Sequence, residues 1–283
     1  MSPVIDFDTQ LQSLLRLVED ESPEMQRIVS DAILEHSVPL ILNRVNYRSS
    51  LPAELCGIFS DLMRDMHPEL VEEALKHLSN VEGDIDLEQV MLVLSYWHAP
   101  EIPAKRLIEQ LDHIANQVQE FYPRQGSALQ KVQHINHELF EKGHFSGNSS
   151  DYYNPDNSFL HKLLETGLGL PITLSVLFIL IAKRLGAPIQ GVSMPSHFIL
   201  KYHDPAAELF FDPFNKGRIY SREECLGFLD QFDVSDKKAV INGCSRRDIV
   251  LRILNNLSVA YSTHTKEADR ADALERFKSA LDK

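Results

Sequence analysis

The sequence predicts an α+β protein: a helical first region, a mixed core in which one apolar helix precedes a small antiparallel sheet, and a helical tail. Three observations carry that reading. Apolar residues recur at three- and four-residue intervals through the first part of the chain. An interrupted apolar run over 168–182 is followed by three short stretches rich in β-branched and aromatic residues. The end of the chain then returns to helical spacing. The divisions expected are 1–122, 123–240 and 241–283.

In the first region, Ser22-Pro23-Glu24 marks a helix start with proline at the first helical position, and Asp86-Leu87-Glu88-Gln89 has capping-box spacing. Between them, 51–66 and 69–78 place apolar residues on one face each, as helices packed on neighbours do. A further helix over 128–142 carries Leu129, Val132, Ile135, Leu139 and Phe140 and ends at Gly143. The turn-rich stretch 147–157 then reads as an ordered loop over a cleft, because Tyr152 and Tyr153 are costly to leave dangling.

A short helix is expected near Asn157-Ser158 and the apolar helix from Pro171. Strands are expected at 189–194, 197–203 and 208–212, with Asp204-Pro205 turning the last two into a hairpin. Centring that turn between His203 and Glu208 brings His197 about two places from Asp212 across the pair, close enough for polar side chains on one face to meet. Ser221-Arg222-Glu223-Glu224 starts another helix with capping-box spacing, and amphipathic helices over 247–262 and 269–281 close the chain. Asn256, Leu257, Ala260, Tyr261, Ala271, Ala273, Leu274, Phe277 and Ala280 resemble one tetratricopeptide helix pair. A single pair has no stacked neighbour, so it is expected to dock on the core.

Bulk properties narrow the function. The 283 residues are 43% hydrophobic and 24% charged, a soluble globular balance. The 41 acidic against 28 basic residues give a formal net charge of −13, which disfavours nucleic acid and anionic membranes as partners. Cys56, Cys225 and Cys244 are widely spaced, which fits a reducing compartment. The first residues have no basic stretch followed by an apolar run, and 168–182 falls short of the roughly 20 residues of a membrane span, so a cytoplasmic protein is expected.

At Gly147-Asn148, Asp151-Tyr152-Tyr153-Asn154-Pro155-Asp156-Asn157-Ser158, Gly169-Leu170-Pro171-Ile172-Thr173-Leu174-Ser175, Pro195-Ser196-His197-Phe198 and Asp212-Pro213-Phe214, the chain resembles the SirB1 family. These bacterial proteins have a transglutaminase-like core, often followed by tetratricopeptide helices, and a related domain occurs in some eukaryotic F-box proteins. The resemblance implies a papain-type core, a helix that carries cysteine at its start in active relatives and packs on antiparallel strands that carry His and Asp. On this sequence the cysteine position falls at or beside Pro171, the histidine at His197 and the acid at Asp212. The family usually has glycine before that histidine, where this chain has Ser196, a bulkier residue that could narrow the approach.

Pro171 offers no thiol, hydroxyl or amide hydrogen, which rules out covalent catalysis from that position. Thr173 and Ser175 in the following turns are hydroxyl candidates, although bonding back to helix carbonyls is the commoner use. Cys56 reads as a structural thiol in an amphipathic helix, and Cys225 and Cys244 follow Asp212 in the chain, so neither suits the papain geometry. His134, His137 and His144 with Glu138 and Glu141 lack a fourth metal ligand. Asp151, Asn154, Asp156 and Asn157 lack a calcium-loop pattern. No metal or cofactor is expected.

The first functional expectation is therefore a non-catalytic protein that binds a protein or peptide in a cleft near Tyr152, Tyr153, Asn157, Ser158, Thr173, Ser175, Ser196, His197 and Asp212. The alternative is a hydrolase or acyl-transferase of amide or peptide bonds, with His197 and Asp212 acting on water or a hydroxyl.

Overall fold

The computed structural model describes residues 7–18, 22–265 and 267–281. Its opening helices are α1 Phe7–Leu17, α2 Pro23–Leu34, α3 Ser37–Ser50, α4 Ala53–Asp65, α5 His67–Ser79, α6 Leu87–His98 and α7 Ala104–Gln119. Most are amphipathic and bury one face. In α6, by contrast, nearly every side chain from Val90 to Trp97 is buried, so neighbours pack all round it. Asp86 caps α6 by accepting from the amides of Glu88 and Gln89, but the reciprocal bond of a capping box is absent. A simple N-cap stands where the spacing predicted a box.

The next helix, α8 Ala128–Asn136, widens into a π-helical turn, His137–Lys142, and stops at Gly143. Two short parallel strands, β1 Ser146–Gly147 and β2 Leu168–Gly169, tie the following loop down on either side of a 3-10 turn, Pro155–Ser158, and α9 Leu160–Thr166. Then comes α10 Pro171–Leu185, whose residues from Ile172 to Ala182 are all buried. Proline at its first position supplies a helical φ and lacks an amide hydrogen that the helix would leave unpaired anyway.

The main sheet is an antiparallel meander of β3 Ile189–Met194, β4 His197–Asp204, β5 Ala207–Asp212 and β6 Arg218–Tyr220. Leu200 faces Phe211 and Asp204 faces Ala207, the register expected from the turn. The strand β6 was not legible in advance, being three residues long and beginning with arginine. Beyond it lie α11 Arg222–Leu229, α12 Lys237–Asn242, α13 Arg246–Ala260 with a π-helical extension Tyr261–Thr265, and α14 Ala268–Leu281. The capping box at Ser221 is present in full.

One apolar core runs from Leu11 to Leu281 and takes side chains from all three expected divisions. Trp97 of α6 is its hinge point, with the rings of Phe277, Tyr261 and Phe159 at 5.3, 5.8 and 6.2 Å. Polar bonds fix the same junction: Arg247 donates to the Ser79 carbonyl at 2.8 Å, and the Ser79 hydroxyl to the Ala280 carbonyl at 3.0 Å. The terminal helices thus dock on α5 and α6 as well as on the mixed core. A smaller apolar cluster lies on the other side of the main sheet, under α11 and α12.

Candidate functional site

The turn between β3 and β4 positions the histidine. Met194 faces His197, leaving Pro195 and Ser196 as a two-residue loop. Ser196 has φ 55°, in the left-handed region. Proline followed by positive φ is the combination of a type II turn, which favours glycine at the second place. That is a backbone reason for glycine before the histidine, separate from any steric control of access.

Across the hairpin, Nε2 of His197 lies 2.8 Å from Oδ2 of Asp212. The acid is fully buried and the imidazole side chain 22% exposed. Burial works against an ionised Asp212, yet the bonds from His197 and Asn215 hold its carboxyl below the usual range. Its Oδ1 also accepts from the amides of Phe214 and Asn215, capping the 3-10 turn Pro213–Asn215. With the carboxylate ionised, Nε2 carries the hydrogen in that bond. Among the described residues nothing is hydrogen-bonded to Nδ1, which is the atom left for a ligand or reacting group.

Strand alternation decides on which side of the sheet the pair lies. Phe198, Leu200 and Tyr202 of β4 enter the main core on the α10 side, where the ring of Phe211 lies 4.8 Å from that of Phe178. Ile199 and Phe210 enter the smaller cluster with Met194, Cys225 and Leu229. His197 has the parity of Ile199, and Asp212 that of Phe210, so the pair belongs to the α11 side of the sheet. There His197 opens onto a cavity of about 600 Å³ lined by Met194, Tyr220, Cys225, Phe228 and Phe232. The ring of Phe228 is 6.1 Å from the imidazole and 5.3 Å from Phe232.

The start of α10 is differently employed. The helix packs against the Pro213–Asn215 turn. Ser175 donates its hydroxyl to the Pro171 carbonyl at 2.8 Å, and both Thr173 and Ser175 are fully buried. Asn157 holds the preceding loop, donating to the carbonyls of Asp151 and Tyr152 at 2.7 and 3.2 Å while accepting from Asn148 at 2.9 Å. Gly147 is needed there, because an added Cβ would meet the Phe214 ring at 2.2 Å.

The expected cleft residues therefore divide into groups. Ser196 and His197 line the α11-side cavity, and Asp212 lies buried behind the imidazole. Asn157, Ser158, Thr173 and Ser175 are buried around the start of α10, while Tyr152 and Tyr153 are 41% and 59% exposed on the loop. Chain order had set Cys225 aside, yet the fold brings it to the wall of the same cavity as His197. Burial, reinforced by Glu224 and Glu208, pushes its thiol up to about 11, so it is protonated near neutrality. The sequence signal for this wall was the helical spacing of Cys225, Phe228, Leu229 and Phe232, which needs β6 before it can be placed.

Of the metal candidates, His134 bonds the Val118 carbonyl at 2.8 Å and His137 pairs with Glu141 at 2.7 Å. Among the described residues no group of three His, Cys, Asp or Glu is placed to hold a metal ion. No described helix is long and apolar enough to cross a membrane.

Comparison with known proteins agrees with this architecture. The family model described as the transglutaminase-like superfamily matches residues 105–255. A UPF0162 protein of Xylella fastidiosa (strain 9a5c) is 40% identical over 147 residues, which are 50% of this chain and 52% of that protein. The UPF0162 protein of Pseudomonas aeruginosa is 23% identical over 195 residues, 69% of this chain and 63% of the relative. F-box only protein 21 of Mus musculus is 31% identical over 131 residues, 44% of this chain and 20% of that protein. The chain thus spans about half the length of its Xylella relatives. No solved structure matches it significantly. The matched region contains α10, the main sheet and the His197–Asp212 pair, and by that match the chain belongs to the transglutaminase-like superfamily.

Proposed function

We propose that this chain is a non-catalytic, SirB1-type member of the superfamily that acts in the cytoplasm by binding a protein or peptide. The observation that carries the reading is the side of the sheet on which His197 lies. His197 lines a mostly apolar cavity bounded by α11, with Glu224 and Gln231 also in its wall, while the helix that would present a nucleophile packs on the opposite side and begins with Pro171. Cys225 adds no activated sulfur, because burial keeps it protonated. The His197 imidazole gives its Nε2–H to Asp212 and leaves Nδ1 for a ligand, and Phe228, Phe232 and Met194 offer an apolar wall. This suits an apolar side chain whose neighbouring backbone N–H reaches the imidazole. The terminal helices α13 and α14, of tetratricopeptide kind, complete the scaffold.

The same free Nδ1 favours a second reading, a hydrolase in which the imidazole activates water without a covalent intermediate. One experiment separates the two. A photo-crosslinking amino acid at Phe232 is expected to capture a polypeptide in the native cell, with capture lost in His197→Ala. The purified protein, given an activated ester and a glutamine peptide with an amine, should form no acyl adduct and turn nothing over. An adduct or turnover that disappears in His197→Ala would replace the binding reading with an enzymatic one.

A further inference from the structure

A second cavity, of about 490 Å³, lies in the first helical region, where α3 and α4 meet the α6–α7 connection. Phe59, Met63 and Tyr96 form its buried apolar wall, and Arg44, Arg48 and Arg64 line it as well. Arg44 is half-buried and held in place. Its guanidinium lies 5.1 Å from the Tyr96 ring centre, with Nη1 donating to the Ile41 carbonyl at 3.4 Å and Nη2 to the carbonyls of Ile102, at 2.6 Å, and Pro100. Those acceptors are neutral, so the positive charge is fixed in position without being cancelled. Of the five N–H groups of a guanidinium, they leave Nε–H and one Nη1–H unused.

Arg48, one helical turn on, is exposed at the same cavity. Among the described residues neither Arg44 nor Arg48 has a carboxylate within ion-pair distance, whereas Arg64 is matched by Asp61 at 2.8 Å and Asp65 at 3.1 Å. Glu101 is the acid in the lining. Burial lowers the affinity of Arg44 for its proton, with Glu101 partly offsetting it, as expected of a cation that lacks a close counter-ion. His67 is also shifted down by burial and is neutral near pH 7. Three arginines thus line the cavity against one acid, Glu101, while Asp61 and Asp65 are taken up by Arg64; among the described residues Arg44 and Arg48 are the cations left without an ion-pair partner there, in a chain of formal net charge −13.

We infer that this cavity binds an organic anion with an apolar body, its acidic head between Arg44 and Arg48 and its body over Phe59, Met63 and Tyr96. Arginine presents paired N–H groups that match a carboxylate or phosphate head, and a pocket of this volume takes a small molecule. The site is independent of the His197 cavity and of the function proposed for it.

Fluorescence titration with anilinonaphthalene sulfonate, an apolar body with one anionic head, tests the inference on the full chain. Saturable one-site binding is expected, competed by octanoate and not by octanol. Arg48→Glu, an exposed change that leaves the apolar wall in place, should weaken the dye about tenfold or more, the effect of losing a charge-assisted bond. The same change should leave the uncharged N-phenylnaphthylamine unaffected, and Phe228→Ala should leave the sulfonate dye unaffected. Absence of saturable binding in the wild type overturns the inference. So does dye affinity that is unchanged in Arg48→Glu, or lost in Phe228→Ala instead.

Discussion

The two sides of the main sheet are built for different purposes. On the α10 side, Phe198, Leu200 and Phe211 meet a helix buried all round, and the contact is solid. On the α11 side the apolar cluster is small, polar groups are buried within it, and a cavity remains open. Lys201, for instance, lies almost fully buried there with its ammonium 2.5 Å from the Asn242 carbonyl, and burial lowers its pKa. The His197–Asp212 pair falls on this second side. The pair has structural employment as well: its acid caps a turn and its imidazole borders a cavity.

Stability should follow the contrast. Phe211→Ala on the α10 side should cost about 3–5 kcal/mol in urea unfolding, as for a large ring removed from a closed core. Phe228→Ala beside the open cavity should cost about 1 kcal/mol, since little of its packing is closed. Equal losses would erase the distinction between the sides.

Asp212→Ala should cost about 2–3 kcal/mol, because it leaves the imidazole and the Phe214 and Asn215 amides unpaired. Its pH signature has a definite sign. The folded carboxyl titrates below its unfolded value, so its contribution is fully present above about pH 4 and fades as pH falls through the folded pKa. Asp212→Asn should therefore lose less stability than wild type on acidification below pH 4, measured by unfolding at each pH. His161 adds a loss of the same sign in a higher window: burial lowers its pKa to about 4, so it opposes folding as the pH drops from about 6.5. Comparing Asp212→Asn with the double variant Asp212→Asn/His161→Gln separates the two slopes.

The smallest expected effect is Ser196→Gly, a gain of about 0.5–1 kcal/mol from relieving positive φ in a non-glycine residue, read as a raised unfolding midpoint. A loss would mean that the hydroxyl makes a contribution larger than the backbone strain.

Much of this fold was legible in the residues because local chemistry and tertiary packing agree. Pro171 opens α10, Ser221 and Glu224 cap α11, and the Asp204 turn sets the β4–β5 register that brings His197 to Asp212. Less legible was which side of the sheet would matter. The polar loop and the start of α10 look like a cleft in sequence, because Asn157, Ser158, Thr173 and Ser175 are all capable of binding. Folded, they are buried, and Asn157 and Ser175 are occupied with nearby carbonyls. The cavity wall depends instead on β6, too short to announce itself, and on a helix whose lining is merely apolar. The His98–His161 contact, 3.1 Å across 63 positions, likewise had no local sign.

The account rests on the claim that His197 serves the α11-side cavity and not the start of α10. Placing a thiol at the start of α10 tests it directly: in Pro171→Cys, the rate of alkylation at that cysteine is followed against pH by peptide mass spectrometry, with and without His197→Ala. The account predicts an alkylation profile that is the same whether or not the imidazole is present, set by the helix start alone. A thiolate persisting well below pH 7 that vanishes in the His197→Ala background would contradict it, by placing the imidazole against the sulfur.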